Sequence, residues 1–412
     1  MIKKYIPRNH YLNSIKPYIN TNIIKVIVGQ RRVGKSYFLY QVIDEIKKID
    51  KAANIIYINK ELYEFDRIKD YHDLKIYIEK KSVKKHGKNY IFIDEIQEIN
   101  QFEKTLRDFG ARANYDTYCT GSNSNLLSSD LANSLGGRFI EIPIYSLSFG
   151  EFLQFHHLEK NKESLFSYIK YGGLPYLVNL HLEDEQVYGY LKTIFNTIIL
   201  KDVVARFNVR NVHLLERLVE YLADSVGSLI SAKRISDFLK SQNLDISPNS
   251  ILNYLNYLTS SFFIHKVKRQ DIVGRKIFEI NEKYYFEDLG LRHSLIGYRQ
   301  IDINKIMENL VFSRLKYLGY KVTVGQIGKN EIDFVVEEKK PRSTLENIAE
   351  LGVKELLAIG ESSFAGSPVN RKHNIKLATE KINGLLIKPG EEFSLIGALG
   401  SISEREGYRK EL

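Results

Sequence analysis

Eight consecutive residues, Gly29-Gln30-Arg31-Arg32-Val33-Gly34-Lys35-Ser36, place two glycines, a lysine and a hydroxyl at the spacing that cradles phosphates. Glycines let backbone N–H groups turn around a polyanion, and a helix starting at the end of the loop adds its partial positive charge. In such a loop Lys35 reaches the β- and γ-phosphates and Ser36 offers its hydroxyl to Mg²⁺. Further along, Asp94 and Glu95 close the apolar run Tyr90-Ile91-Phe92-Ile93. Paired with the loop, Asp94 is the candidate Mg²⁺ ligand, and Glu95 the base that orients and deprotonates an attacking water.

These groups need a scaffold that gathers strand ends. Residues 22–28 (NIIKVIV) are apolar and β-branched and enter the glycine loop directly, and residues 37–48 are helix-compatible. Strand, loop and helix in that order is the setting in which a phosphate loop works. Residues 54–58 (NIIYI) form an extra strand between the two motifs, and residues 90–93 a central strand whose C-terminal end carries the acids. Residues 116–120 make a short strand ending in Gly121-Ser122-Asn123-Ser124. A polar side chain at that tip can touch a γ-phosphate or position water; Asn123 is the first choice and Ser122 the second. Arg138 precedes a fifth strand, from which an arginine can reach a γ-phosphate in its own subunit or in a neighbouring copy of a homo-oligomer.

The fold class this predicts is α/β. It is a P-loop NTPase parallel sheet of the additional-strand, catalytic-glutamate kind, followed by a helical and winged-helix domain and small α+β C-terminal segments. No guanine-reading Asn-Lys-x-Asp motif is present, so ATP with Mg²⁺ is the expected nucleotide.

The 412 residues suffice for two or three domains with cores of their own. No apolar run is long enough for a membrane span, and Met1-Ile2-Lys3-Lys4-Tyr5 leads into polar residues rather than the apolar core of a signal peptide. The single cysteine, Cys119, excludes an internal disulfide and fits a cytoplasmic location, and its apolar strand predicts an inert buried thiol. From residue 341 onward ten Lys+Arg balance ten Asp+Glu, so the net charge of +10 belongs entirely to residues 1–340. A basic body fits an acidic partner such as double-stranded DNA, and equally a solubilising surface. The same boundary divides composition, because 26 of the 27 tyrosines precede it and no Asp follows it.

Residues 213–226, 231–240 and 247–261 read as three amphipathic helices, and 262–267 and 276–280 as the strands of a wing. Lys266, Lys268, Arg269, Arg275 and Lys276 give that wing basic residues for phosphate contacts, which makes 231–276 the candidate DNA-binding segment. His265 and the pair His156-His157 lack partners at metal-ligand spacing. Residues 304–318 form a helix carrying Glu308, followed by strands at 321–324 and 331–336, the latter bearing Asp333. Helix Glu and strand Asp resemble the start of a restriction-endonuclease-like core. Such a core needs a further strand with E-x-K; here Glu337-Glu338-Lys339 lies on the same strand as Asp333, so nuclease activity is not expected.

Several of these strings together resemble the prokaryotic AAA-like ATPases of the archaeal/bacterial ATPase superfamily. They are the glycine loop, Tyr90–Ile96, Thr120–Asn123, Gly137-Arg138, Leu147-Ser148-Phe149-Gly150-Glu151-Phe152, Tyr171-Gly172-Gly173-Leu174-Pro175 and Ile199-Leu200-Lys201-Asp202-Val203. The resemblance covers residues 1–336. It implies a cytoplasmic ATPase accompanied by a DNA-binding winged helix and a nuclease-like tail. Beyond it, Ser362-Ser363-Phe364-Ala365-Gly366-Ser367, Asn370–Ile375, Lys381–Gly384, Pro389–Ser394 and Gly407-Tyr408 resemble the opening of a VanW-like domain. A fused or misassembled reading frame is the simplest account of the break near residue 340, and a functional hybrid is the alternative.

The expected organisation is a P-loop ATPase domain over 1–160, a helical linker over 161–210 and a winged helix over 211–285. A truncated restriction-endonuclease-like segment over 286–340 and a partial VanW-like domain over 341–412 complete it. Two functions fit: ATP hydrolysis coupled to DNA contact through the winged helix, or a nucleotide-dependent switch or scaffold that binds a protein partner and turns over little.

Overall fold

Apolar β-branched runs become strands where their faces are covered, and residues 24–28, 54–59 and 89–94 are such runs in an N-terminal sheet of five strands. The computed structural model describes residues 5–83, 87–124, 134–271, 277–327, 330–337 and 394–396. Strands β1 (Ile24–Val28), β2 (Asn54–Asn59), β3 (Asn89–Asp94), β4 (Tyr115–Gly121) and β5 (Phe139–Pro143) pair in parallel in the order β2-β3-β4-β1-β5. Alternation along each strand divides the core. Ile27, Tyr90, Phe92 and Tyr118 face helices α1 (Asn9–Ile15) and α2 (Lys35–Ile49). Val26, Val28, Ile91, Ile93 and Cys119 face α3 (Tyr71–Lys81) and α4 (Phe102–Gly110). The sheet buries one ion pair, Lys25 with Asp116, both wholly inaccessible, and Lys25 lies over the Tyr118 ring.

The fold is that of a P-loop NTPase, but the strand that sets its class is not the one the motif spacing suggested. Residues 54–59 form the sheet edge beside β3. The strand inserted between the phosphate-loop strand and the acid-bearing strand is β4, which pairs with both. Position in the chain between two motifs does not translate into position in the sheet, because parallel crossovers skip neighbours.

A helical region follows. Helix α5 (Phe149–His156) starts with a capping box, in which Ser148 accepts from the Glu151 N–H and the Glu151 carboxylate accepts from the Ser148 N–H. Helices α6 (Lys162–Tyr171) and α7 (Asp184–Thr197) lead into a π-helical segment, Ile198–Ala205. Three amphipathic helices come next, α8 (Val212–Asp224), α9 (Ala232–Ser241) and α10 (Pro248–Ser260), capped by Asn211, Ser231 and Ser247. Antiparallel strands β6 (Ile264–Asp271) and β7 (Ile277–Phe286) follow, and Ile230, between α8 and α9, bridges to Glu282 of β7. Helices α11 (Leu289–Ile296) and α12 (Ile303–Tyr317) then precede β8 (Lys321–Ile327) and β9 (Asn330–Glu337). Strand β8 runs parallel to β6, so the hairpin and the C-terminal strands share one sheet, whose edge beside β9 carries Ser394–Ile396. The rest of the region expected to be VanW-like lies outside the described residues. One hydrophobic core runs from Phe38 of α2 through Leu218 of α8 to Phe312 of α12, without a break at the expected domain boundaries.

Candidate functional site

The loop after β1 is shaped by residues that only glycine can be. A Cβ on Gly29 would stand 2.1 Å from the Ile144 carbonyl oxygen, and Gly34 has φ +97°, the left-handed region. Helix α2 then opens at Lys35 with Gly34 as its cap. The Lys35 ammonium is buried and donates to the carbonyls of Gly29 and Gln30, both at 3.0 Å. Burial lowers its pKa against the opposing pull of Glu95 and Asp94. Both polar atoms of the Gln30 side chain are buried without a hydrogen-bond partner among the described residues, an uncompensated cost at the loop. Arg32 is exposed, with φ +71°, and Val33 is fully buried.

The two acids stand at the C-terminal end of β3, beside the loop. Burial raises the Asp94 pKa, while hydrogen bonds from Thr120 and Ser36 oppose the shift. The Tyr57 hydroxyl adds a third contact to Asp94 at 3.2 Å. Glu95 has φ +56°, a left-handed backbone for a residue with a side chain, and this turn aims it back toward the loop. Its carboxylate is 3.9 Å from the Lys35 ammonium and accepts from Gln97 and from the Ser122 hydroxyl, the latter at 3.3 Å. Burial works against its ionisation, yet Lys35, Gln97, Arg31 and Ser122 together hold its pKa below the usual carboxylate range. Thr120, unremarked by the spacing argument, joins the acids: its hydroxyl donates to Asp94 and accepts from the Glu95 N–H at 3.0 Å.

At the tip of β4, Ser122 is the residue whose side chain reaches Glu95, and Asn123 is buried next to it. Arg138 is exposed and lies at the opposite end of the sheet, where its carbonyl accepts from the Ile24 N–H at 3.0 Å. The whole of β1, about 13 Å at strand rise, separates it from the phosphate loop. That distance exceeds an arginine side chain and excludes a contact with the nucleotide of its own subunit.

Two further contacts fix the loop from outside, and a third joins the helical region to the segment that precedes α11. Arg8 pairs with Glu151 through Nε at 2.8 Å and Nη2 at 3.0 Å, and its Nη1 donates to the Val33 carbonyl at 3.0 Å. Arg31 pairs with Asp202. The Tyr-Gly-Gly string docks on Asp288, which accepts from the Gly173 N–H at 2.8 Å and would stand 2.2 Å from a Cβ at Gly172.

In the C-terminal sheet Glu308 and Asp333 meet around an unforeseen residue, Lys283 of β7, whose ammonium lies 2.8 and 3.1 Å from them and 2.7 Å from Glu331. Lys266 pairs across the hairpin with Glu282 at 2.7 Å, Lys268 is exposed, and Arg275 and Lys276 lie outside the described residues. His265 pairs with Glu287 at 2.6 Å. Cys119 is inaccessible, and burial pushes its thiol up to about 12. A cavity of about 270 Å³ between Tyr145, Tyr168, Asp288 and Phe312 is lined by none of residues 29–36, 94 or 95.

The donor set at the loop fits Mg²⁺. Ser36 and Asp94 are hard oxygen donors already in contact, and a single carboxylate with a hydroxyl is the sparse protein contribution that Mg²⁺ takes when phosphates complete its shell. Among the described residues no group of three or more His, Cys, Asp and Glu is placed to hold a metal. No helix among them is long and apolar enough to cross a membrane.

The sheet order, the glycine loop and the acids at the neighbouring strand end define a P-loop nucleotide site, and the model of the AAA domain matches residues 21–153. A domain of unknown function (DUF8612) matches residues 162–302, and the VanW like protein family matches 370–412. An uncharacterized protein of Haemophilus influenzae is 38% identical over 344 residues, covering 82% of this chain and 85% of that protein. A second uncharacterized protein, from Methanocaldococcus jannaschii, is 32% identical over 324 residues, covering 73% and 68%. The chain belongs to the family of these two proteins. Among solved structures, the Walker-type ATPase of Pyrococcus abyssi matches with 14% identity and a TM-score of 0.49, over 72% of this chain and 100% of that one.

Proposed function

We propose that this chain binds and hydrolyses ATP, and that the helical region moves with the nucleotide state. The observation that carries the reading is the convergence of Lys35, Ser36, Asp94, Glu95 and Ser122 on one end of three neighbouring strands. The backbone N–H groups of residues 29–36 and the start of α2 receive the phosphates, and Lys35 exchanges two loop carbonyls for phosphate oxygens. Ser36 and Asp94 would hold Mg²⁺, which supplies charge neutralisation on the phosphates when bound. Glu95, kept ionised by Lys35 and Gln97, accepts a proton from water, while Ser122 fixes the orientation of its carboxylate. Arg138, too far from the loop of its own subunit, is proposed to serve a neighbouring copy.

The elements over 211–285 support a winged-helix reading, because three helices precede a hairpin and Ile230 bridges to that hairpin. Exposed Lys233, Arg234 and Lys268 offer phosphate contacts, whereas the outward positions of α10 that include Asn249, Asn253 and Asn256 carry no charge. We therefore propose duplex DNA as the partner of residues 231–276, held mainly by its backbone. ATP turnover measured with and without duplex DNA across a salt series tests both parts. Stimulation that fades steeply with salt is expected. Turnover unaffected by DNA removes the DNA partner, and ATP binding without turnover leaves a nucleotide-dependent switch in place of an ATPase.

A further inference from the structure

Arg31 belongs to the phosphate loop, yet its guanidinium is engaged by the helical region. Its Nε and Nη2 each lie 2.8 Å from one oxygen of Asp202, a two-point ion pair spanning 171 residues. Both side chains are buried, 7% and 2% exposed. The remaining nitrogen, Nη1, faces Glu61 at 3.4 Å. Asp202 sits in the π-helical segment Ile198–Ala205, a geometry that is rare and recurs at functional positions. The helical region also passes close to the loop at Pro175, which stands 3.7 Å from where a Cβ on Gly34 would lie. The loop is thus held by the helical region at Arg31 and by Arg8 at the Val33 carbonyl.

We propose that Asp202 is a positioning residue for the nucleotide site, tying Arg31 so that phosphate binding in the loop displaces segment 198–205. A two-point pair is directional, and a buried carboxylate stripped of its cation is strongly disfavoured, so Asp202 and its segment must shift when Arg31 turns away. Incoming phosphates bring negative charge beside Arg31 and compete with Asp202 for one guanidinium. ATP competes harder than ADP, which makes the pair sensitive to the γ-phosphate. The inference rests on the ATP-binding reading above.

The test uses the full chain with ATP or ADP and Mg²⁺, measuring affinity by calorimetry, steady-state kcat and KM, and amide hydrogen exchange over residues 198–205. In the wild type, ATP alters exchange in that segment more than ADP does. Asp202→Asn keeps an acceptor but loses the ionic pair. It is expected to bind ATP, to lose the exchange response and to lower kcat about tenfold with little change in KM, the worth of one charge-assisted hydrogen bond. Asp202→Glu restores part of both. Should Asp202→Asn fold poorly, the apolar pair Arg31→Met with Asp202→Leu removes both charges at once, and it is expected to fold and to lack the exchange response. Wild-type kcat together with an intact exchange response in Asp202→Asn overturns the proposal. So does a general loss of protection with kcat and affinity falling together, which marks a packing role. A wild type that binds no ATP overturns the nucleotide reading itself, an outcome distinct from the other two.

Discussion

The Lys35 ammonium stands 3.9 Å from the Glu95 carboxylate while donating to the carbonyls of Gly29 and Gln30. One buried cation therefore both closes the phosphate loop on itself and holds the candidate base ionised. Lys35→Ala is expected to weaken ATP binding by about 3 kcal/mol, roughly 100-fold, the worth of hydrogen bonds to a charged group. The fold should tolerate the change, since a desolvated cation is removed with it. Calorimetric titration with ATP and Mg²⁺ checks the first expectation and a thermal melt the second; unchanged affinity would remove Lys35 from the site.

Glu95→Gln retains the shape and the contacts with Gln97 and Ser122 but cannot take a proton. Turnover should fall by about 10²–10⁴-fold, the usual worth of a general base, with ATP affinity preserved. A variant that turns over like the wild type assigns the proton to another group.

How much of this was legible follows from how local each signal is. The glycine loop was readable because its residues are consecutive and their chemistry demands those types. Asp94 and Glu95 were readable because a strand end is marked by the run before it. Thr120 was not, since its bridge between the acids exists only once β4 lies beside β3. The same adjacency explains why residues 54–58, which lie between the two motifs in the chain, form the sheet edge instead of the inserted strand. Arg8 with Glu151, Arg31 with Asp202, and Lys283 with Glu308 pair across long stretches of chain, and nothing in the periodicity of either partner announces the other. Ser148 and Glu151 stood out only as part of a string resembling the family's; neither the capping box they form nor the ion pair that Glu151 makes could be read from it.

Arg138 offers a test of assembly. Its place at the far end of β1 leaves only a neighbouring copy within reach as a nucleotide partner. Arg138→Ala and Glu95→Gln should each be inactive alone and regain turnover when mixed, because a mixed interface pairs an intact Glu95 with an intact Arg138. Mixtures that stay inactive would rule out action in trans, and an Arg138→Ala variant that is active alone would leave Arg138 as a surface arginine.

Arg8 and Glu151 predict a stability effect. Removing the cation in Arg8→Met strands a buried carboxylate and should cost about 3–5 kcal/mol in a urea titration. The double variant Arg8→Met with Glu151→Gln should recover much of this, since glutamine keeps the capping contact without the charge. Burial opposes ionisation of Glu151, but Arg8 and Ser148 hold its pKa below the usual range. Its contribution is therefore present above the unfolded carboxylate pKa and lost as pH falls through the lower folded value. The gap between wild type and Arg8→Met should close in that acidic window.

Asp288 has the opposite sign. Burial raises its pKa to about 6, against the hydrogen bonds from the Gly173 and Leu291 N–H groups. A folded pKa above the unfolded one means that the native state binds the proton more tightly. The stabilisation is complete below the unfolded carboxylate pKa and disappears as pH rises through about 6. At about 1.4 kcal/mol per unit, this amounts to roughly 3 kcal/mol between the two limits. Asp288→Asn cannot ionise, so wild type should lose that much stability relative to it between acid and neutral pH. Parallel urea titrations of the two proteins across the window measure the difference directly. The loss should register where the Tyr171-Gly172-Gly173 string meets the start of α11, because that is where the charge forms. A difference that does not vary with pH would mean that Asp288 stays ionised in its buried position, with the two backbone donors outweighing desolvation.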